Sequence, residues 1–454
     1  MEQELTKRKM YIILSVMMVG AFSGSLSQSL LTSALPAIMR DFQISATLGQ
    51  WLTTVYIMVL GIATSTTAYL INRFSTKKLF IAAMTLFFTG CIISIFAPIF
   101  SILIFSRILQ AFGAGILMPL IQVTALNSFP PEEHGRAMGL VGFVVAFGPA
   151  IGPTLSGLIV DAFGWRSIFY ILGVVSFLVI VAAFINIVNV GQRGQGKMDF
   201  ISAGIYGLGF SALMLGVTFQ ELRGFLDIQT MASFALGFLL LYIFVKRQLG
   251  NKDPLLKIDL FKSFTFSITT ILNIITYWCM MSGTIMVPIY IQSVKGLPAL
   301  TSGLVLLPGS ILLAVLSPVT GYLLDKYNAR FVSLIGMILL LVGASTFAFF
   351  SIETSIYTAS FFYALRMSGI AFLLMPLTAY GIGTLNKENV PHGTAIVISV
   401  RQMLGALGAS ILVAVMTAAS ANPEIIDMQG VNTAFGVQGV ILALALIATI
   451  KYIR

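Results

Sequence analysis

Apolar runs of about twenty residues recur from one end of this chain to the other, and almost no charge interrupts them. As a helix rising 1.5 Å per residue, such a run crosses the roughly 30 Å hydrocarbon core of a bilayer. With no water there to satisfy the backbone, only helices and closed barrels can span, and continuous rather than alternating hydrophobicity selects the helix. Of the 454 residues, 58% are apolar and 9% are charged, against about a quarter charged in soluble domains. The chain is therefore expected to be an all-α polytopic membrane protein.

Spans are expected near 10–32, 51–71, 79–98, 101–122, 137–160 and 166–187, then 201–219 and 229–247, then 265–292, 301–324, 331–351, 355–379, 393–418 and 433–450, fourteen in all. Cytoplasmic loops hold an excess of Lys and Arg. With both termini inside, nineteen of the 26 basic residues fall on the cytoplasmic side, so the +10 net charge reads as membrane orientation and contact with lipid headgroups, not as nucleic-acid binding. No loop is long enough for a catalytic domain, and the two histidines, His134 and His392, are expected in loops without triad or metal spacing, so an enzyme is not expected. Cys91 and Cys279 sit in apolar segments and read as small packing residues.

The chain repeats itself. Residues 68–74 (AYLINRF) echo 321–327 (GYLLDKY) at an offset of 253. Leu117-Met118-Pro119-Leu120 recurs as Leu374-Met375-Pro376-Leu377 at 257, and His134-Gly135-Arg136-Ala137 recurs as His392-Gly393-Thr394-Ala395 at 258. Two parallel six-helix blocks, 1–190 and 263–454, with an inserted helix pair and linker over 191–262, give a 6 + 2 + 6 organisation with a substrate site between the blocks near the midplane.

The fifth span carries Gly148-Pro149-Ala150-Ile151-Gly152-Pro153-Thr154-Leu155-Ser156-Gly157. Gly148, Gly152 and Ser156 stand four apart and strip one helix face of bulk, while Pro149 and Pro153 cannot donate backbone hydrogen bonds and favour a bend. This run resembles the antiporter signature in the fifth helix of the major facilitator superfamily, in its fourteen-span drug:proton antiporter branch. Residues 68–78 resemble that branch's loop signature after the second helix. Arg107, Gln110, Gly113 and Gly115 resemble its fourth-helix signature, and Phe129-Pro130-Pro131-Glu132-Glu133 with Arg136, and Trp165-Arg166 with Phe169, are similar to it as well. The resemblance covers essentially the whole chain. It implies the major facilitator fold, multidrug efflux driven by a proton gradient, no other cofactor, a small lipophilic or amphiphilic substrate, and a monomer, and the short loops point to a bacterial cytoplasmic membrane. It also makes Arg73, Asp325, Lys326 and Arg330 parts of cytoplasmic latches between helices, although Asn72 stands where the first latch normally has a carboxylate.

Arg107 lies roughly 9 Å inside its span, and Arg366 and Arg401 lie about 15 and 13 Å inside theirs at 1.5 Å per residue. Cations at that depth are costly and are expected to face the bundle interior, Arg107 for coupling and the other two toward substrate. No carboxylate falls in the middle of a span, and Ser27 occupies the place where the branch typically has a first-helix acid. Neutral or anionic amphiphiles therefore suit the site better than permanent cations. Gln28 and Tyr56, with Asn273, Tyr277, Trp278, Met281 and Tyr290, are the further candidate cavity residues, since amides orient a ligand while aromatic and Met side chains accept varied apolar shapes. An exporter of lipophilic compounds is the leading expectation. The alternatives are an exporter of anionic amphiphiles or lipids and a transporter-like sensor that moves nothing.

Overall fold

The computed structural model describes residues 7–189, 199–251, 253–421 and 426–453. Fourteen α-helices account for nearly all of them, and no strand occurs among the described residues. They are α1 (Lys7–Phe42), α2 (Ala46–Arg73), α3 (Thr76–Ile95), α4 (Phe100–Ser128), α5 (His134–Phe163), α6 (Arg166–Asn186), α7 (Phe200–Arg223), α8 (Ile228–Gly250), α9 (Phe264–Ile289), α10 (Ala299–Lys326), α11 (Ala329–Ser345), α12 (Ile356–Gly383), α13 (Val390–Ala419) and α14 (Met428–Tyr452). Thirteen candidate spans, by length and apolarity, are found when only the described residues are counted. The polar turns of the chain start the helices: Ser45, Ser75, Asp199, Asp227, Ser263, Asn328, Ser355 and Asp427 each accept a backbone N–H of the first helical turn, satisfying donors that have no partner within the helix.

Packing repeats as the sequence does. Among the first six helices α1 packs on α4, α5 and α6, α2 on α4, and α3 on α4 and α6. Among the last six, α9 packs on α12, α13 and α14, α10 on α12, and α11 on α12 and α14. The two sets meet along two seams related in the same way, α5 on α10 and α12, and α13 on α2 and α4. Helix α7 lies against α2 and α13 at the second seam, and α8 packs on α7. The outward faces are apolar, as with Val174, Phe177, Leu178 and Ile185 on α6 and Leu236, Leu239 and Ile243 on α8, all exposed. A surface of that kind suits lipid rather than water.

The histidines correct one expectation. Neither is in a loop: His134 opens α5 and His392 lies in the first turn of α13, where it is buried. Helices continue past the hydrocarbon into polar sequence, so a fall in hydropathy does not mark the end of a helix. Both cysteines are buried and free.

Candidate functional site

Arg107 emerges from α4 into the interior of the first six helices and is 1% exposed. Its Nη1 donates to Ser27 Oγ on α1 at 2.8 Å and to Gln110 Oε1 one turn further along at 2.7 Å. Gln110 in turn donates to Ser94 Oγ on α3 at 2.9 Å, and Ser94 and Ser106 share a bond of 2.6 Å. The guanidinium lies 4.0 Å above the Tyr56 ring, whose hydroxyl donates to the Gly24 carbonyl at 2.8 Å. A buried cation is thus spread over hydroxyls, an amide and a π face, with Nε left without a partner. Gln28, beside Ser27, is half-buried.

The last six helices repeat the motif. Arg366 on α12 donates to Ser282 Oγ on α9 at 3.0 Å and to the Cys279 carbonyl, so a fourth-helix arginine meets a first-helix serine in both sets. Gln438 on α14 donates to the same Ser282 at 2.7 Å, and Phe435 faces the guanidinium at 5.8 Å. Glycines make the room: a Cβ at Gly283 would fall 2.8 Å from Arg366 Cζ. Arg401 on α13 donates from Nη1 to Asn273 Oδ1 on α9 at 3.3 Å and lies 5.1 Å over the Tyr277 ring. Asn273 is oriented by its own amide, which donates to the Leu374 carbonyl and to Thr378 Oγ1, both at 2.7 Å.

At the end of the bundle near both termini, the two sets touch through unlike contacts. Asp325, in the last turn of α10, accepts the backbone N–H groups of Gly135 at 2.6 Å and Arg136 at 2.7 Å, capping the start of α5. Behind it the helices are in backbone contact: a Cβ at Gly321 would lie 2.1 Å from the Gly135 carbonyl oxygen, and one at Gly139 would lie 2.7 Å from the Ser317 carbonyl oxygen. At the related corner Asn72 Nδ2 faces His392 Nε2 at 3.4 Å. Arg73, Lys326 and Arg330 are exposed around these corners.

The small face of α5 is turned toward α1. Cβ atoms at Gly148 and Gly152 would meet Ser25 Oγ and Ser29 Oγ at 2.6 and 2.2 Å, and Ser156 Oγ donates to the Leu30 carbonyl at 2.7 Å. The side chains of Pro149 and Pro153 lie outside the described ones. Between α5 and the last six helices is a small pocket with a free volume of about 10 Å³, lined by Val145, Met280, Leu313, Ser317, Leu374 and Met375 among others. None of the expected cavity residues lines it. Tyr56 and Tyr290 are fully buried, Tyr290 donating to the Ser351 carbonyl at 2.9 Å. Tyr277 and Trp278 pack against α13, where Cβ atoms at Gly405 and Gly408 would meet them at 2.5 and 2.3 Å. Met281, one residue from the lining Met280, is half-buried. The α5–α10 contact escaped the sequence reading, yet a signal was present: Gly135 and Gly139 on one helix and Ser317 and Gly321 on the other stand four apart.

A family model described as "Major Facilitator Superfamily" matches residues 17–409. The chain is 37% identical over 435 residues to the "Uncharacterized MFS-type transporter YcnB" of Bacillus subtilis (strain 168), covering 95% of this chain and 92% of that one. It is 35% identical over 411 residues to the "Lincomycin resistance protein LmrB" of the same organism, covering 90% and 86%. The fold is similar to the crystal structure of the human organic anion transporter MFSD10 (TETRAN), with a TM-score of 0.72 at 10% identity over 97% of this chain and 99% of that one.

Proposed function

The chain belongs to the major facilitator superfamily, and from that premise we propose that it exports lipophilic or amphiphilic compounds across a bacterial cytoplasmic membrane by alternating access. In this reading all fourteen helices span, both termini are cytoplasmic, and residues 1–190 and 263–454 rock against each other while the pair within 191–262 rides on the α2–α13 seam. The clustering of basic residues on one side supports the orientation.

The observation that carries the reading is the α5–α10 seam. Two helices from opposite sets touch through glycine backbone, are tied at one end by Asp325, and border a pocket lined by apolar and thioether side chains. In this reading the two sets part along that seam, where the tied end is held by glycine backbone contact. The resistance protein among the relatives supports a drug-like substrate. Coupling is assigned to proton antiport. With no mid-span carboxylate among the described residues, the proton-carrying groups are sought at helix ends: Asp325, His134, His392, Asp41 and Asp161. Arg107 serves in this scheme as a fixed internal cation that responds to their state.

The test is transport by the purified protein in liposomes under an imposed pH gradient, with rhodamine 6G and lincomycin as probes. Accumulation that collapses with a proton ionophore is expected. Movement indifferent to the gradient removes the coupling but keeps the exporter. No movement of any probe, under any gradient, leaves the sensor reading in its place.

A further inference from the structure

We infer that the inserted pair, α7 and α8, is carried by the last six helices and slides on the first six, so that the moving surface at the second seam is α2 against α7. The inference rests on the alternating-access reading and assigns the pair to one of the two rocking sets.

The first ground is fastening, for the pair is tied to the last set at both of its ends. In the last turn of α7, Gln220 Oε1 accepts from Ser410 Oγ on α13, and both side chains are buried. At the other end Asp199, the N-cap of α7, accepts from Ser202 N at 3.0 Å, from Arg247 Nε at 3.2 Å and from Asn251 Nδ2 at 3.0 Å, which binds the start of α7 to the end of α8. Buried Gln248 of α8 links both to the segment that follows: its Nε2 donates to Ser202 Oγ at 2.7 Å, and its Oε1 accepts the Leu256 N–H at 3.2 Å. That segment, residues 253–262, is seated on the last set. Lys257 Nζ donates to Asn389 Oδ1, at the N-cap of α13, at 2.9 Å. Leu260 Cδ1 is 3.9 Å from where a Cβ at Gly393 would lie, and the Phe261 carbonyl accepts from Ser267 Oγ on α9 at 2.5 Å. Breaking such bonds leaves buried polar groups unpaired, which costs more than the bonds contribute when made, so they are kept through a rigid-body motion.

The second ground is the contrast with α2. Among the described residues no hydrogen bond joins α2 to α7. The hydroxyls of Ser65, Thr66 and Thr67 on α2 donate instead to carbonyls of α2 itself, that of Ile62 at 2.8 Å and that of Ala63 at 2.9 and 2.7 Å. The contact between α2 and α7 is an apolar notch. Gly61 strips a side chain from α2 and the Phe210 ring fills the place, since a Cβ at Gly61 would lie 2.2 Å from Phe210 Cε1. Nearby, a Cβ at Gly207 would meet Ile62 Cδ1 at 3.4 Å. In a membrane, apolar packing of this kind is exchanged for lipid or for another apolar side chain without leaving a polar group unpaired. Helix α7 therefore has bonds to keep on α13 and packing to give up on α2, and α8, packed on α7 and on the segment after it, goes where α7 goes.

Spin labels at Lys78 on α3, Arg330 on α11 and Lys246 on α8, all exposed, place one corner of a triangle on the first set, one on the last set and one on the pair. Pulsed EPR reads the three distances in the purified full-length protein, with and without rhodamine 6G, at acid and alkaline pH, and in Gly321→Val, whose side chain does not fit against Gly135. Where Lys78–Arg330 shifts by about 5 Å or more, the rise of one helical turn, Lys78–Lys246 is expected to shift with it while Lys246–Arg330 stays constant. A constant Lys78–Lys246 with a shifting Lys246–Arg330 assigns the pair to the first set and overturns this inference alone. No shift in any distance under any condition rejects alternating access, and the inference with it. Loosening the ties adds a second reading. Gln220→Leu combined with Gln248→Leu should broaden the Lys246–Arg330 distribution at least about twofold, whereas Phe210→Ala should leave its width unchanged. Broadening by Phe210→Ala and none by the double variant overturns the inference, and the wild-type triangle decides the matter should either variant fail to fold.

Discussion

The two corners where the helix sets meet near the termini are related by the internal repeat, yet they hold differently. At one, a carboxylate accepts two backbone N–H groups from a helix start and two helices touch backbone to backbone. At the other, a neutral amide faces an imidazole at 3.4 Å, and the glycine equivalent to Gly135, Gly393, borders side chains rather than backbone, Leu385 at 2.5 Å with Phe266 and Leu260 farther off. An anion at a helix N-terminus gains both the helix dipole and charge-assisted hydrogen bonds. A neutral amide gains neither to the same degree. The bundle therefore has a strong corner at α5–α10 and a weak one at α2–α13, and closure at this end depends mainly on the first.

The largest effect that could break this comparison comes from steric bulk. Gly321→Val forces a side chain into the Gly135 carbonyl, where even a Cβ would lie at 2.1 Å. Overpacking against backbone that cannot yield is expected to cost about 3 kcal/mol or more, roughly a hundredfold in the closed population. Gly393→Val meets a movable Leu385 side chain and should change closure by less than about threefold. Transport rates and the distance distribution between spin labels at Lys78 and Arg330 read both variants. Equal effects would erase the distinction between the corners.

Next in size is Asp325→Asn. The amide keeps one acceptor but places an NH₂ group where the second helix N–H donates, and the charge is gone. A loss of about 1.5–3 kcal/mol, or roughly ten- to a hundredfold toward the open end, is expected from the same spin-label distances. Restoring a carboxylate at the weak corner should have a smaller effect of opposite sign. Asn72→Asp would set a carboxylate beside the His392 ring and attract its protonated form. The added closure, about 0.5–1 kcal/mol or two- to fivefold, should therefore be present at acid pH and vanish as the ring deprotonates. Tightening that persists at pH 8 would mean the imidazole plays no part.

Much of this architecture is legible in the sequence, because the bilayer enforces it. The span expected at 166–187 corresponds to α6 at Arg166–Asn186, and the repeat in sequence is a repeat in packing. The burial of Arg107, Arg366 and Arg401 followed from depth alone, since lipid makes a cation at that depth expensive. Their partners were not legible. Ser27, Gln110 and Ser94 meet around Arg107, but Gln438 from α14 serves Arg366, and helix rotation, which decides such matters, leaves little mark in a uniformly apolar sequence. The pocket was hidden for the same reason: nothing in composition separates Met280 and Met375 from the other methionines. Of the strong corner, Asp325 stood out as a charge in a repeat, while the four-residue spacing of Gly135 and Gly139 went unread beside the more conspicuous Gly148 and Gly152.

A third carboxylate sets the lower bound of the comparison. Asp41, past the end of the apolar segment of α1 and far from the seam, accepts from Arg166 Nη1 at 2.7 Å and from the Trp165 indole at 3.1 Å. The Arg166 bond first, and the Trp165 bond after it, hold its carboxyl below the ordinary value of 3.8. A depressed carboxylate stabilises the fold fully above the unfolded-state value, and that contribution fades as pH falls through the lower folded-state value. The side chain is 45% exposed, so water and salt screen the pair to about 0.5 kcal/mol. Asp41→Asn should thus lower the thermal midpoint by about 1 °C or less at pH 7 and by nothing measurable near pH 3, and raising the salt concentration should shrink the difference at pH 7. It should also leave the Lys78–Arg330 distance distribution unchanged. A change there would mean that an ion pair at the far end of the first helix set is coupled to closure, and that the contrast between the two corners is not local to them.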